Sequence, residues 1–294
     1  MNKFRKTIIY VLYTVFTCAA IAQNNTALVI GIGDYPAESG WRKINGDRDI
    51  EIVCAFLQEN GFSKNEITIL KNAEATKENI VQQFNLIGKN AKTGDRIYIH
   101  FSGHGQQITD TDGDEDDGWD EAWIPYNAKK VYKKDIYEGE NHLIDDQINE
   151  LLLNIREKIG AAGELIVVAD ACHSGDSTRG EEEEDEDIII RGTSDRFIIP
   201  GDFPKKNGSK KPIQWIVISA CLAYQNNYEC KVDGKNYGSL SYSLYSLRKE
   251  IGGVSLKNAY DMISLTMNNL VKMIQNIQVE AQNDLTKILI FSKR

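Results

Sequence analysis

Leu165–Gly175 reads LIVVADACHSG, and its reading decides the fold. Leu165 to Ala169 is an apolar, β-branched run with no solvated face, the pattern of a buried parallel strand. The run breaks at Asp170-Ala171-Cys172-His173-Ser174-Gly175, where small and polar residues replace the apolar ones. A thiol at the carboxyl edge of a central strand lies where open α/β sheets place their ligands. Taken alone, Cys172 reads first as an inert core thiol, because unpaired cysteines are commonly buried.

A second stretch, Asp95–Gln107 (DRIYIHFSGHGQQ), changes that balance. Arg96 to Phe101 is again a strand, and Ser102-Gly103-His104-Gly105 is again a break at its end. If the two strands are parallel neighbours, His104 and Cys172 face one another across one sheet edge. A thiol becomes a useful nucleophile beside an imidazole, because the thiolate attacks and the imidazolium stabilises it. The same imidazole then returns the proton to the leaving amine. Of the other histidines, His100 sits mid-strand and His173 points away from its neighbour Cys172, so His104 is the expected base.

FSGHG followed by DACHSG resembles the metacaspases and their bacterial relatives among the caspase-like cysteine peptidases. The resemblance extends through ALVIGIGD (Ala27–Asp34), GDEDDGWDEAWIPY (Gly113–Tyr126) and ISACLAYQ (Ile218–Gln225). It implies a caspase-like three-layer sandwich, a mostly parallel sheet of about six strands with helices on both faces. It also implies a cysteine endopeptidase with Cys172 as nucleophile and His104 as base and acid. The backbone N–H groups of Gly105 and Cys172 would form the oxyanion hole.

Strand alternation puts Asp170 on the same side as Cys172, where a carboxylate would meet an Arg or Lys side chain of a substrate. The resemblance assigns Asp170 to such a pocket, with Ser102 and, at looser spacing, Asp49. The substrates implied are peptides or proteins with Arg or Lys before the cut. A relative cutting after Asn or Asp, and a catalytically weak module that binds cations or a partner, are the two alternatives.

Asp110–Glu121 (DTDGDEDDGWDE) is dense in hard oxygen donors. It is not an EF-hand, because Glu115 stands where the sharp turn requires Gly. Members of the resembled family commonly need calcium, and Asp120, Asp145 and Asp146 match their ligand positions. The chain departs from the family pattern at Asp176–Arg179 (DSTR), where a further Asp is expected. No cofactor is needed for the chemistry itself; Ca²⁺ is the one ion expected, at Asp120, Asp145 and Asp146.

The outer segments follow. Lys3, Arg5 and Lys6, the apolar run Thr7–Ala20 and Ala20-Ile21-Ala22 read as a signal peptide over 1–22. The product expected is an exported, periplasmic or extracellular peptidase domain over 23–294 without a stable membrane span. The net charge of −9, about −12 without the leader, argues against nucleic acid as a partner. Cys54, Cys172, Cys221 and Cys230 match no zinc pattern, and only Cys221 and Cys230 suggest a disulfide. Residues 177–212, with EEEEDED at Glu181–Asp187, read as a flexible linker whose basic residues could be self-cleavage sites. Helices are expected at Asp47–Asn60, Lys77–Ala91, Asp145–Ile159, Ser239–Glu250 and Ser255–Gln278. Further strands are expected at Thr26–Gly31, Glu66–Leu70, Gln214–Ser219 and Lys287–Phe291.

Overall fold

The computed structural model describes residues 23–172, 188–203 and 213–292. In chain order these form β1 (Asn25–Gly31), α1 (Gly46–Glu59), β2 (Ile67–Lys71), α2 (Lys77–Asn90), β3 (Arg96–Ser102), β4 (Gly105–Thr109), β5 (Trp119–Trp123), β6 (Leu143–Ile144), α3 (Asp145–Ile159), β7 (Glu164–Asp170), β8 (Ile216–Ser219), β9 (Glu229–Val232), β10 (Lys235–Gly238), α4 (Ser239–Ser246), α5 (Leu256–Leu270) and β11 (Gln278–Glu280). Six strands make the main sheet in the order β11-β8-β7-β3-β1-β2. All pairs are parallel except β11 on β8.

The apolar strands bury both faces because successive side chains alternate. Ile97, Ile99 and Phe101 of β3, with Leu165, Val167 and Ala169 of β7, face α2 and α3. Tyr98 of β3, with Ile166 and Val168 of β7, faces the apolar sides of α1, α4 and α5. This is the three-layer α/β sandwich expected. Continuing the alternation places His100, Ser102 and Asp170 on the α1/α4 side, where polar helix residues meet them. His100 is a packed residue there, between the Tyr98 hydroxyl and Ser241 Oγ at 3.1 Å each.

The chain's end differs from the sequence reading. α5 stops at Leu270, and the antiparallel edge strand is Gln278–Glu280, paired to Val217–Ser219. Lys287–Phe291 is no sheet strand: its backbone bonds the turn before α5, through Leu256 N–H to Ile288 O and Ile290 N–H to Val254 O. Ile290 and Phe291 are nonetheless buried against the α1/α5 layer, so the apolar run fills core without joining the sheet.

The expected acidic loop is a hairpin with a shorter tip. Thr109 pairs with Trp119 at the mouth of β4 and β5, and β6 completes a small antiparallel sheet. Part of the expected linker is packed rather than flexible. Phe197 is buried, its N–H bonds Gln107 O, and its carbonyl accepts Thr109 N–H. Ile189, Ile199 and Phe197 supply enough apolar surface to dock this stretch on the core. The expected signal segment 1–22, His173, Arg179 and the EEEEDED run lie outside the described residues. Among the described residues, no helix is long and apolar enough to cross a membrane.

Candidate active site

Ser102 and Asp170 pair across β3 and β7, so both strands end at the same level of the sheet. Gly103 N–H reaches Asp170 O at 3.4 Å. His104 and Cys172 each lie two residues beyond that pair, on one sheet edge, and both are buried.

The His104 ring is held on three sides. Trp41 stacks on it with centroids 4.8 Å apart, and Tyr35 tilts against it at 5.1 Å. Its Nε2 lies 2.8 Å from Arg42 O, which can only accept, so Nε2 carries the proton and Nδ1 is the basic nitrogen. Nδ1 is buried and has no hydrogen-bond partner. Burial pulls the His104 pKa down to about 4, against the Arg42 carbonyl, which favours the cation. A neutral imidazole with one unused lone pair is what a thiol proton requires. The Cys172 thiol meanwhile donates to Gln225 O at 3.0 Å.

The oxyanion donors of the sequence reading fall beside this pair. Cys172 N–H donates to Arg191 O at 2.8 Å. Gly105 opens β4 opposite Trp123, and Ile124 N–H bonds His104 O beside them. Gly105 therefore sits at a position whose amide the β4–β5 ladder does not use.

Below Cys172 lies a closed acidic pocket, and the Arg191 side chain fills it. Arg191 is fully buried. Its Nη1 donates to Asp49 Oδ2 and to Ser102 Oγ at 2.6 Å each, and lies 3.6 Å from Asp170 Oδ1. Nε donates to Glu229 Oε1 at 3.1 Å, and Nη2 lies 3.0 Å from the same oxygen. Ser102 Oγ itself donates to Asp49. Gly238 forms a wall: a Cβ there would collide with Asp170 Oδ2 and the Arg191 guanidinium.

Asp170 is fixed from α4. Its Oδ2 accepts Ser241 N–H at 2.8 Å and Ser241 Oγ–H at 2.6 Å, and its Oδ1 accepts Asn227 Nδ2–H at 2.8 Å. Burial alone would raise its pKa, but Arg191, Asn227 and Ser241 together hold it below the ordinary value. Asp49, in the first turn of α1, is pushed up to about 6 by burial, against the pull of Arg191. Burial likewise works against the Arg191 cation, yet Asp49, Asp170 and Glu229 outweigh it and raise its pKa.

The structure thus brings together Cys172, His104, Gly105, Asp170, Ser102 and Asp49. Sequence reasoning missed Glu229, Asn227 and Gly238. Glu229 and Gly238 lie on the β9–β10 hairpin, whose turn residues Asp233 and Gly234 both have positive φ, 50° and 76°. An Asp-Gly pair between short strands is a strong hairpin signal, and it was there to be read. The four described cysteines form no disulfide, Cys221 and Cys230 included.

The expected metal residues Asp120, Asp145 and Asp146 fall in three neighbouring carboxylate groups and not in a single one. Asp110, Asp114 and Asp120 bring carboxylate oxygens within 4.8 Å of one another, as do Asp112, Asp114 and Asp146, and Glu115, Glu121 and Asp145. Burial, then Asp145, Asp110, Asp146 and Asp114, raise the Asp120 pKa to about 8. Asp114 Oδ1 and Asp120 Oδ1 are buried with no hydrogen-bond partner. Orphaned hard oxygens crowded this closely fit a divalent cation such as Ca²⁺.

Comparison with known proteins agrees with this geometry. The metacaspase, peptidase C14 domain matches residues 25–179, a span that carries both His104 and Cys172. Metacaspase-1A of Neurospora crassa is 35% identical over 157 residues, 51% of this chain and 31% of that protein. Metacaspase-1 of Sclerotinia sclerotiorum is 31% identical over 157 residues, 51% of this chain and 33% of that protein. The chain thus spans about a third of the length of these relatives. A crystal structure of a protein from Geobacter sulfurreducens shares the fold, with a TM-score of 0.61 at 23% identity, covering 92% of this chain and 98% of that one. With the His and Cys motifs on neighbouring strand ends inside the matched span, this chain belongs to the metacaspase family of C14 peptidases.

Proposed function

We propose that the chain is an exported cysteine endopeptidase that cuts peptide bonds after Arg or Lys. The observation that carries this reading is Arg191, whose guanidinium sits among Asp49, Asp170 and Glu229 while its carbonyl accepts the Cys172 N–H. An arginine is thereby held at the nucleophile with its carbonyl on an oxyanion donor, as a substrate's would be. A cation buried without such partners would cost several kcal/mol. An Asp or Asn side chain would find three carboxylates and no donor matched to it, which argues against the alternative specificity.

In this reading the Cys172 thiol turns from Gln225 O to His104 Nδ1 and gives up its proton. The thiolate adds to the scissile carbonyl, whose oxygen takes charge against the N–H groups of Cys172 and Gly105. The C–N bond breaks as the His104 imidazolium returns the proton to the amine. Water, deprotonated by His104, then releases the acid. Trp41 over the ring stabilises the transient cation. Arg42 O keeps the tautomer fixed throughout.

Calcium belongs to the same proposal. Asp120, Asp145 and Asp146, with Asp110 and Asp114, would hold it, and it would supply charge neutralisation at the hairpin tip. β4 links that tip to Gly105, which gives the cluster a structural connection to the oxyanion side. Export rests on the leader at 1–22.

The test is kcat/KM on peptides that differ only in Arg, Lys, Asn or Asp before the bond, with and without chelator. Arg first, Lys second and negligible Asn or Asp turnover is the expected order. Cys172→Ala and His104→Ala should leave at most traces. A preference for Asn or Asp would overturn the specificity even with the dyad intact.

A further inference from the structure

Resting on the Arg-directed peptidase reading, we infer that His100 and Gln275 are positioning residues for Arg or Lys recognition, each heading a buried hydrogen-bond chain that ends on one oxygen of Asp170.

The first chain starts on β3. The Tyr98 hydroxyl lies 3.1 Å from His100 Nδ1, His100 Nε2 lies 3.1 Å from Ser241 Oγ, and Ser241 Oγ lies 2.6 Å from Asp170 Oδ2. All four residues are buried. The carboxylate end sets the direction, because an ionised carboxylate can only accept. Ser241 therefore spends its one hydroxyl proton on Asp170. His100 Nε2 must then donate to Ser241 Oγ, which leaves Nδ1 to accept the Tyr98 proton. Burial pulls the His100 pKa down to about 4 and so keeps the ring neutral, with one donor and one acceptor nitrogen. The opposite tautomer would draw the Ser241 proton to Nε2 and away from Asp170.

The second chain comes from the segment after α5. Gln275 Oε1 accepts Tyr228 N–H at 3.0 Å, so its amide nitrogen is the end that faces Asn227. Gln275 Nε2 donates to Asn227 Oδ1 at 2.8 Å, and Asn227 Nδ2 donates to Asp170 Oδ1 at 2.8 Å. The same Nε2 lies 2.9 Å from Ala220 O and from Ser239 Oγ. An Asn amide turned over would set its own oxygen against Asp170. Gln275 disfavours that, because its Nε2 has only protons to offer the end that meets it. Hydrogen bonds in such chains polarise one another in a low-dielectric interior.

The two pocket carboxylates show what the chains do. Asp49 lies closer to the cation, 2.6 Å from Arg191 Nη1 against 3.6 Å for Asp170. Proximity alone would make Asp49 the stronger acid. Burial nevertheless pushes Asp49 up to about 6, against Arg191 and with Asp170 adding to the rise. Asp170 stays below its ordinary value although burial works on it too. Their donors differ. Asp170 takes Ser241 N–H, Ser241 Oγ–H and Asn227 Nδ2–H, whereas Asp49 takes, besides Arg191, Gly238 N–H and Ser102 Oγ–H. Where carboxylates share a site, the one with more hydrogen bonds to its charged form keeps the charge. Asp170 is thus a fixed anion that meets a cationic side chain, and His100 and Gln275 are what fix it.

The experiment uses the full chain and two fluorogenic amides that differ only in Arg or its uncharged isostere citrulline before the bond. His100→Phe and Gln275→Met keep the size of the side chains and remove the donors. Each should lower the Arg-to-citrulline ratio of kcat/KM about fivefold, the effect of losing one hydrogen bond, with the change in KM and not in kcat. His100→Gln sets an amide nitrogen near the place of Nε2 and should bring the ratio back towards the wild-type value. In an Asp170→Asn background neither variant should lower the ratio further, because the group through which they act is gone. His100→Phe leaves the Tyr98 hydroxyl without its acceptor and can fail to fold; Ser241→Ala cuts the same chain one link nearer Asp170 and must then lower the ratio at least as much. An unchanged ratio in either variant, or equal losses on both amides, would overturn that residue's role and leave it a packing group. So would a loss that persists undiminished in the Asp170→Asn background. A wild-type ratio near one would instead overturn the Arg reading beneath, and it is read before any variant is made.

Discussion

The pocket under Cys172 and the tip of the β4–β5 hairpin both crowd carboxylates together, and they resolve the repulsion in opposite ways. In the pocket the chain supplies the counter-charge: Arg191 touches Asp49 and Glu229 directly and lies within ion-pair distance of Asp170. Asp170 is accordingly held below its ordinary pKa. At the hairpin tip no Lys or Arg pairs with Asp110, Asp114 or Asp120 among the described residues. Asp110 spends its oxygens on three backbone N–H groups, those of Asp112, Gly113 and Glu115. Asp120, burdened by burial and by its neighbours, is instead pushed up to about 8. The difference teaches what each cluster is for. One is shaped around a guanidinium fork, and the other has no such counter-charge on Asp110, Asp114 or Asp120 among the described residues.

Removing the cation from the pocket breaks the comparison most forcefully. In the Cys172→Ala background, which lacks the nucleophile, Arg191→Met should cost about 3–5 kcal/mol, the range for stranding a buried charge partner. Urea unfolding at neutral pH measures it. A loss below about 0.5 kcal/mol, the level of an ordinary surface change, would mean that the pocket carboxylates do not depend on Arg191.

Next in size is the effect on outside substrates. Asp170→Asn is isosteric and removes a charge, but because both Asp170 oxygens accept, its amide NH₂ must face a donor of Ser241 or Asn227. Arg-peptide kcat/KM should fall by roughly 2–5 kcal/mol, the range for losing one member of a desolvated pair. An uncharged peptide should lose far less. Equal losses on both peptides would place Asp170 in general scaffolding instead of in recognition.

How much of this was legible in the sequence follows the same division. β3 and β7 announce themselves because they are buried on both faces and so read as unbroken apolar runs. Their shared end level follows once they are neighbours, and it places Cys172, His104, Ser102 and Asp170 together. Asp145–Ile159 was fixed to the residue by its apolar spacing and by Gly160 after it. β11 was not legible, since QVE is too short to show a period, while Lys287–Phe291 has strand-like residues that pack without pairing. Glu229 and Arg191 were illegible for a different reason. Glu229 lies between Tyr228 and Cys230 and Arg191 ends the run Ile188–Ile190, and only the long-range closure of β9 and 189–191 on the strand ends makes them partners. Charge in a sequence states that a partner is needed and does not name it.

At the hairpin tip, where no described Lys or Arg pairs with Asp110, Asp114 or Asp120, adding a cation from outside should do what Arg191 already does in the pocket. Ca²⁺ at about a hundred times its Kd should stabilise the Cys172→Ala chain by about 2.7 kcal/mol, read as a rise in Tm. Asp120→Asn should remove most of that gain while leaving the Arg191 pocket untouched. An unchanged Tm, with no heat of binding in calorimetry, would leave the tip a solvated acidic turn.

The smallest effect separates the two clusters by screening alone. Salt shortens the Debye length from about 10 Å at 0.1 M to about 3 Å at 1 M, and it acts on charges that water can reach. Arg191, Asp49 and Asp170 are fully buried, so ions cannot enter between them. Asp112 is exposed and Asp114 and Asp146 are half-buried, so repulsion around the tip is open to screening. In chelator, raising KCl should therefore recover on the order of 1 kcal/mol for the Cys172→Ala chain relative to the same chain with Asp120→Asn. The cost of Arg191→Met should move by less than about 0.5 kcal/mol over the same range. Taking each as a difference between two proteins in the same salt cancels the general effect of KCl on unfolding. Should the Arg191→Met cost shrink with salt as much as the Asp120 difference does, the pocket would be open to water, and the contrast between a filled site and an unfilled one would fail.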